Sequence, residues 1–68
     1  MTTGQLLRLR RTRRKMQIHE VAQAAGIAVS TLSRYETDKL DPRVAMLARL
    51  AVALGCGTRD LVPPKVRP

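Results

Sequence analysis

Sixty-eight residues leave room for one domain with a small core and exclude a second domain or a deep catalytic cleft. Thirteen Lys and Arg against five Asp and Glu give a formal charge of +8, which points to a polyanionic partner, nucleic acid first, with an acidic protein or a lipid surface as alternatives. A single cysteine, Cys56, excludes an internal disulfide and a cysteine cluster for zinc; with no long apolar run and no cleavable leader, the expected setting is the cytoplasm and its nucleoid, not a membrane.

Thr2 or Thr3 is placed to cap a first helix over about 4–14, with Leu6, Leu7 and Leu9 as its apolar stripe and a densely basic far end. Two short helices follow, over about 17–25 and 29–37, with Val21, Ala25, Ile27, Leu32 and Tyr35 facing inward. Gly26 lies between them, where a positive φ ends one helix and reverses the chain, and Ala22 is small enough for the two helices to approach closely. Bulk at either position is expected to separate them. After a polar link over about 38–41, Pro42 suits a helix start, and Val44, Leu47, Leu50, Ala51 and Leu54 have helical spacing up to a stop at Gly55. Thr58 is placed to cap one last turn through Asp60 and Leu61, with Leu61 closing the core. Residues 1–62 read as the domain and 63–68, with two adjacent prolines and two cations, as a solvated tail.

Two short helices at a tight turn, the second with a free face, describe a DNA-binding unit. On a helix starting at Val29, the residues Val29, Ser30, Ser33 and Arg34 project away from the side that holds Leu32 and Tyr35. These are the base-reading candidates. A guanidinium at Arg34 can donate two parallel bonds to guanine O6 and N7, Val29 can pack on a thymine methyl, and the serines can bond bases or phosphate. Thr31 belongs at the boundary with protein or backbone. Gln17 stands where its amide and the first N–H groups of the second helix can meet a phosphate, and Thr37, Lys39 and Arg43 flank the reading helix as further clamps.

The stretches MQIHEVAQAAGIAVSTLSRYE and DPRVAMLARLAVALGCGTRDLV resemble the Cro and CI-type helix-turn-helix regulators, the XRE family, without a gap. The resemblance covers nearly the whole chain. It implies an all-α, compact five-helix lambda-repressor-like domain that regulates transcription, with the helix Val29 to Glu36 in the major groove of duplex DNA. It implies that the basic end of the first helix, Arg13 and Arg14 included, lies near the DNA backbone, and that Glu36 pairs with an arginine of that helix, Arg10 or Arg11. The family often pairs around its fourth and fifth helices, which here offer Val52, Cys56, Leu61 and Val62. The chain has Ile18 where the family commonly has glutamine, and Ala28 where it usually caps the reading helix with Ser or Thr.

The remaining tempting residues have plain readings. His19 lies on the exposed side of its helix with no second ligand at metal spacing, and Cys56 reads as a small buried hydrophobe. Half of the arginines in the basic run read as a solvated face. Nothing orders a Ser, a His and an Asp into a nucleophile and its base, and one tyrosine makes no stacking platform for single strands. The expectation is a non-enzymatic protein without cofactor or metal that binds double-stranded DNA as a homodimer at an inverted-repeat operator and represses transcription. The alternatives are an antitoxin-like module that sequesters a toxin protein and a non-specific basic binder of RNA or membrane surface.

Overall fold

In the computed structural model, which describes residues 1–64, four α-helices and one 3-10 turn follow in order: α1 (Thr3–Arg13), α2 (Ile18–Ala25), α3 (Val29–Glu36), α4 (Val44–Leu54) and the turn Thr58–Leu61. The expected tail over 63–68 falls for the most part outside the described residues. Helix α1 packs on α3 and on the 3-10 turn, α2 packs on α3 and α4, and α4 packs on the turn. The core they enclose is largely leucine: Leu7, Leu32, Leu50, Leu54 and Leu61 are fully buried with Val21, and each such side chain contributes roughly 1.5–3 kcal/mol relative to exposure.

The fifth helix of the resemblance is here a single 3-10 turn. Its continuation is blocked locally: Val62 is extended (φ −103°, ψ 131°) and precedes Pro63, whose ring disfavours helical backbone in the residue before it. Gly57, not Thr58, is the N-cap, and its N–H donates to Asp60 Oδ2 at 2.9 Å. Pro42 likewise stands outside α4. Arg43 takes the extended N-cap conformation (φ −75°, ψ 167°), so the helix begins at Val44.

At the other end of the chain Thr2 caps α1. Its Oγ1 accepts from the Gln5 N–H at 3.1 Å while Gln5 Oε1 accepts from the Thr2 N–H at 2.9 Å, a reciprocal capping box. All four helices end alike. The N–H two or three residues past the helix end reaches back to a carbonyl five residues earlier: Met16 to Arg11 at 3.1 Å, Ile27 to Ala22 at 2.9 Å, Lys39 to Arg34 at 2.9 Å and Cys56 to Ala51 at 2.9 Å. This Schellman closure requires a left-handed residue just before. Gly26 (φ 72°) and Gly55 (φ 67°) supply it as their sequence positions suggest, but Lys15 (φ 56°) and Asp38 (φ 61°) do so against the usual preference for glycine.

Ala22 is buried where α2 meets its neighbours, as expected of a small residue there. Gly26 is required by its φ alone: a Cβ there would meet only the mobile guanidinium of Arg49, so bulk at 26 would not push the helices apart. The close approach is at Gly4. A Cβ on Gly4 would lie 2.5 Å from the Tyr35 carbonyl oxygen and 2.8 Å from that of Glu36, so α1 begins directly against the last turn of α3.

Candidate nucleic-acid interface

Helix α3 divides into two faces. Leu32 and Tyr35 are buried in the core, while Ser30, Ser33 and Arg34 are exposed and Val29 remains 43% exposed. Thr31 is half-buried at the boundary between them. The four exposed side chains thus share one surface, beginning at the N-terminus of the helix. That end has no side-chain cap, because Ala28 occupies the N-cap position. The Leu32 N–H to Ala28 carbonyl bond, 3.1 Å, is the first that the helix can make, so the N–H groups of the three residues before it point out without a helical acceptor. Free donors and the positive end of a helix dipole favour an anion there.

The opposite end of α3 is tied down twice. Arg11 donates from Nε to Glu36 Oε2 at 2.8 Å, from Nη2 to Glu36 Oε1 at 3.1 Å, and from Nη1 to the Met16 carbonyl at 3.1 Å. Arg11 is therefore the partner of Glu36. The two side chains are only 15% and 6% exposed, and the bond to Glu36 holds the guanidinium pKa above its ordinary value, partly offset by burial. Asp38 forms the second tie. Its carboxylate accepts from the Thr2 hydroxyl at 2.6 Å and from the Gly4 N–H at 3.1 Å, so a residue just past α3 satisfies the N-terminus of α1. Sequence reasoning takes Asp38 only as part of a polar link. Its partners lie 34 and 36 residues away, beyond any local pattern, and a glycine in the first turn of α1 is the one trace of the contact.

The basic run divides in the same manner. Arg11 is committed to Glu36. Arg10 approaches Asp60 at 3.4 Å in a half-exposed pair, and the Arg14 guanidinium lies beside Gly55, in the space that a side chain at 55 would enter. Arg8, Arg13 and Lys15 are left exposed with no carboxylate in pairing distance among the described residues. Arg13 and Arg14 are both exposed and in no ion pair among the described residues, with Arg14 reaching toward Gly55 and Arg13 not. Lys39 and Arg43 are exposed on either side of the loop after α3. Thr37 is exposed too, but its hydroxyl donates to the Ser33 carbonyl at 2.8 Å, so it has no proton left for a phosphate in this arrangement.

Gln17 is the N-cap of α2 and makes no side-chain cap bond, which leaves its amide available; its own N–H donates to Glu20 Oε1 at 2.7 Å. The Glu20 carboxylate therefore stands within one turn of any phosphate bound there and weakens that contact. His19 is exposed. Cys56 is half-buried, and burial pushes its thiol pKa up, against the opposing pull of Arg10 and Arg14. Leu61, expected both in the core and at a pairing surface, is wholly in the core and has no surface to offer a partner. Val52 is exposed and Val62 half-buried. No helix among the described residues is long and apolar enough to cross a membrane.

A helix-turn-helix family model matches residues 7–61, which takes in all of α2, α3 and α4. No curated protein matches the chain. Among solved structures, the P22 c2 repressor protein, in complex with synthetic operator 9T in the presence of Tl+, is similar with a TM-score of 0.84 at 24% identity, over 91% of this chain and 94% of that one. A hypothetical transcription factor from Neisseria has a TM-score of 0.84 at 23% identity, over 93% of this chain and 74% of that one. A SinR protein/SinI protein complex contains a chain with a TM-score of 0.85 at 26% identity, over 96% of this chain and 64% of that one. With its fold, its turn and its match over most of its length, the chain belongs to the Cro/CI-type (XRE) family of helix-turn-helix DNA-binding transcription regulators.

Proposed function

We propose that the protein binds an inverted-repeat operator in duplex DNA as a homodimer and represses the promoter it occupies. Helix α3 enters the major groove with Val29, Ser30, Ser33 and Arg34 toward the bases. Gln17, Arg13, Lys39 and Arg43 hold the flanking phosphates. The observation that carries this reading is the division of α3, exposed at Val29, Ser30, Ser33 and Arg34 and anchored in protein through Leu32, Tyr35 and Glu36. A helix held this way at its C-terminal end fixes the backbone at Ser33 and Arg34, and Arg34 is the one of the four able to make a bidentate contact to guanine. One such helix spans few base pairs, so discrimination calls for a second copy about one turn of DNA away. Val52, Cys56 and Val62, where α4 meets the 3-10 turn, are the surface through which the copies pair. The solved operator complex of the P22 c2 repressor supports the assignment by likeness of fold.

Selection of random duplex DNA by the purified protein at about 0.15 M salt, where screening weakens purely electrostatic attraction, tests the proposal. The expected survivors share a palindrome with half-sites about one helical turn apart. Arg34→Ala is expected to lose about 1–3 kcal/mol of discrimination at a single base position in each half-site, with a smaller loss of affinity for unrelated duplex. A pool with no shared motif, or a uniform loss across sequences for Arg34→Ala, refutes it.

A further inference from the structure

Helix α4 carries two apolar stripes, and the core uses only one. Leu47, Leu50, Ala51 and Leu54 point inward, whereas Val44, Ala48 and Val52, each one turn from the next, point outward. Val44 is 77% and Val52 82% exposed, the two most exposed large hydrophobic residues among the described ones. Beside Ala48 and Val52 the end of α2 contributes Gln23 and Ala24, and the two helices form a shallow groove with Gly26 and Arg49 on its border. The Arg49 guanidinium rests at the Gly26 carbonyl, 3.4 Å away, and Arg43 stands just before Val44. No acidic residue lies on α4, and Glu20, the only one on α2, is turned to the Gln17 N–H at the far end of that helix.

We propose that this groove docks an amphipathic helix of a partner protein, one whose apolar face is bordered by carboxylates. Three outward residues at four-residue spacing are what a helix laid in a groove reads, with a small residue at the centre allowing close approach. Charge decides between occupants. The groove has Ala24, Ala25, Ala48 and Val52 as its apolar lining and Arg49 on its border, on a protein of formal charge +8 whose acidic side chains, Asp41 apart, are held by arginines or backbone N–H groups. A second copy laid in the groove would bring the same Arg49 and the same net charge against it, whereas the proposed pairing lies on the Cys56 and Val62 side of Val52, outside the groove; an acidic helix instead meets the cation. One helix face of this length offers less than the roughly 800 Å² per partner of a standard interface, so the complex is a transient one. The docked helix covers Val52, which the proposed pairing surface shares, and therefore opposes dimerisation: a route by which a partner protein releases the operator.

The probe is a synthetic acidic amphipathic peptide of about four helical turns, with leucines at i, i+3, i+4 and i+7 and glutamates beside them, titrated into the ¹⁵N-labelled full chain. A scrambled peptide of the same composition is the control. Saturable amide shifts are expected at Gln23, Ala24, Ala48, Arg49 and Val52. Val52→Asp is expected to weaken binding about tenfold or more, and Arg49→Gln about two- to fivefold. Both variants should keep the α3 amide positions of the parent, since both side chains are exposed. The proposal is overturned by equal binding of the scrambled peptide, by unchanged affinity in Val52→Asp, or by shifts centred on Arg8, Arg13, Lys15 and Arg34, the pattern of a general polyanion contact. It is overturned too if the Gln23, Ala24 and Ala48 amides, which lie outside the proposed pairing surface, shift with protein concentration alone, for then a second copy is the occupant of the groove. No DNA enters the assay, so any of these results leaves the operator reading standing.

Discussion

Replacing Arg11 with methionine tests the claim that the reading helix is held from behind. The substitution keeps the aliphatic length of the side chain and removes three hydrogen bonds, two to Glu36 at 2.8 and 3.1 Å and one to the Met16 carbonyl at 3.1 Å. It also leaves the Glu36 carboxylate, 6% exposed, with no counter-charge. Removing the partner of a charge-assisted bond costs about 1.5–3 kcal/mol, and a fully buried pair more, so a loss of about 2–3 kcal/mol follows for this nearly buried one. A domain of this size has roughly 3–10 kcal/mol in total. The midpoint of thermal unfolding should fall by about 8–20 °C. The internal control is Arg10→Met. Arg10 and Asp60 are 3.4 Å apart with side chains 36% and 42% exposed, so solvent screens the pair and its loss should cost less than about 1 kcal/mol. Urea unfolding followed by circular dichroism measures both, and a double variant with Glu36→Gln should recover part of the Arg11→Met loss by removing the stranded charge. Equal costs for Arg10→Met and Arg11→Met would falsify the reasoning, because burial would then not distinguish the pairs.

Four other substitutions and an alkylation rate follow from the fold. Gly4→Ala should destabilise by about 1–3 kcal/mol, although alanine is the better helix former, because its methyl group meets the Tyr35 and Glu36 carbonyls; a neutral or raised melting temperature would place α1 further from α3. Lys15→Gly should stabilise by about 0.5–1 kcal/mol by relieving a side chain from left-handed backbone, whereas Asp38→Gly, at nearly the same φ, should destabilise through the lost bonds to Thr2 and Gly4; calorimetry of the two variants shows whether the signs differ. Cys56 should react with iodoacetamide more slowly than a free thiol at pH 8, since burial raises its pKa. With the folded value above the unfolded one, the thiol's contribution to stability is whole below the unfolded value and is lost as pH rises through the folded one; a Cys56→Ala variant should lose that alkaline component of the stability profile.

The helical framework was legible from the chain because its signals are local. Gly26 and Gly55 announce left-handed backbone, Ala22 and the leucines have helical spacing, and the free face of α3 follows from where Leu32 and Tyr35 must go. What escaped local reading depends on contacts across the chain. Arg10 and Arg11 are adjacent and equally plausible partners for Glu36 until α1 is laid on α3, and only then does one face Glu36 and the other Asp60. Asp38 and Lys15 adopt glycine-like backbone without being glycine, and Pro42 and Thr58 stand one or two residues from the cap positions that propensity favours. The exposed residues of α3 are legible; which polar side chains are already engaged is not, because Arg11 on Glu36 is a tertiary contact and Thr37 on the Ser33 carbonyl a matter of local geometry.

The unequal ends of α3 imply a gradient of motion along it. At Glu36 and Asp38 the helix cannot fray unless an ion pair and the first turn of α1 open with it, so those amides should share the protection of the whole domain. At Ala28 nothing in the protein closes the first turn, and local opening is cheap. The stiffness of the helix thus declines toward the end that the proposed function turns to the bases. In the proposed complex, a phosphate or a base edge that accepts the open N–H groups would supply the missing closure, so the last part of the helix to become rigid would do so on the DNA, and mismatched DNA, which cannot offer that acceptor in place, would leave the tip mobile.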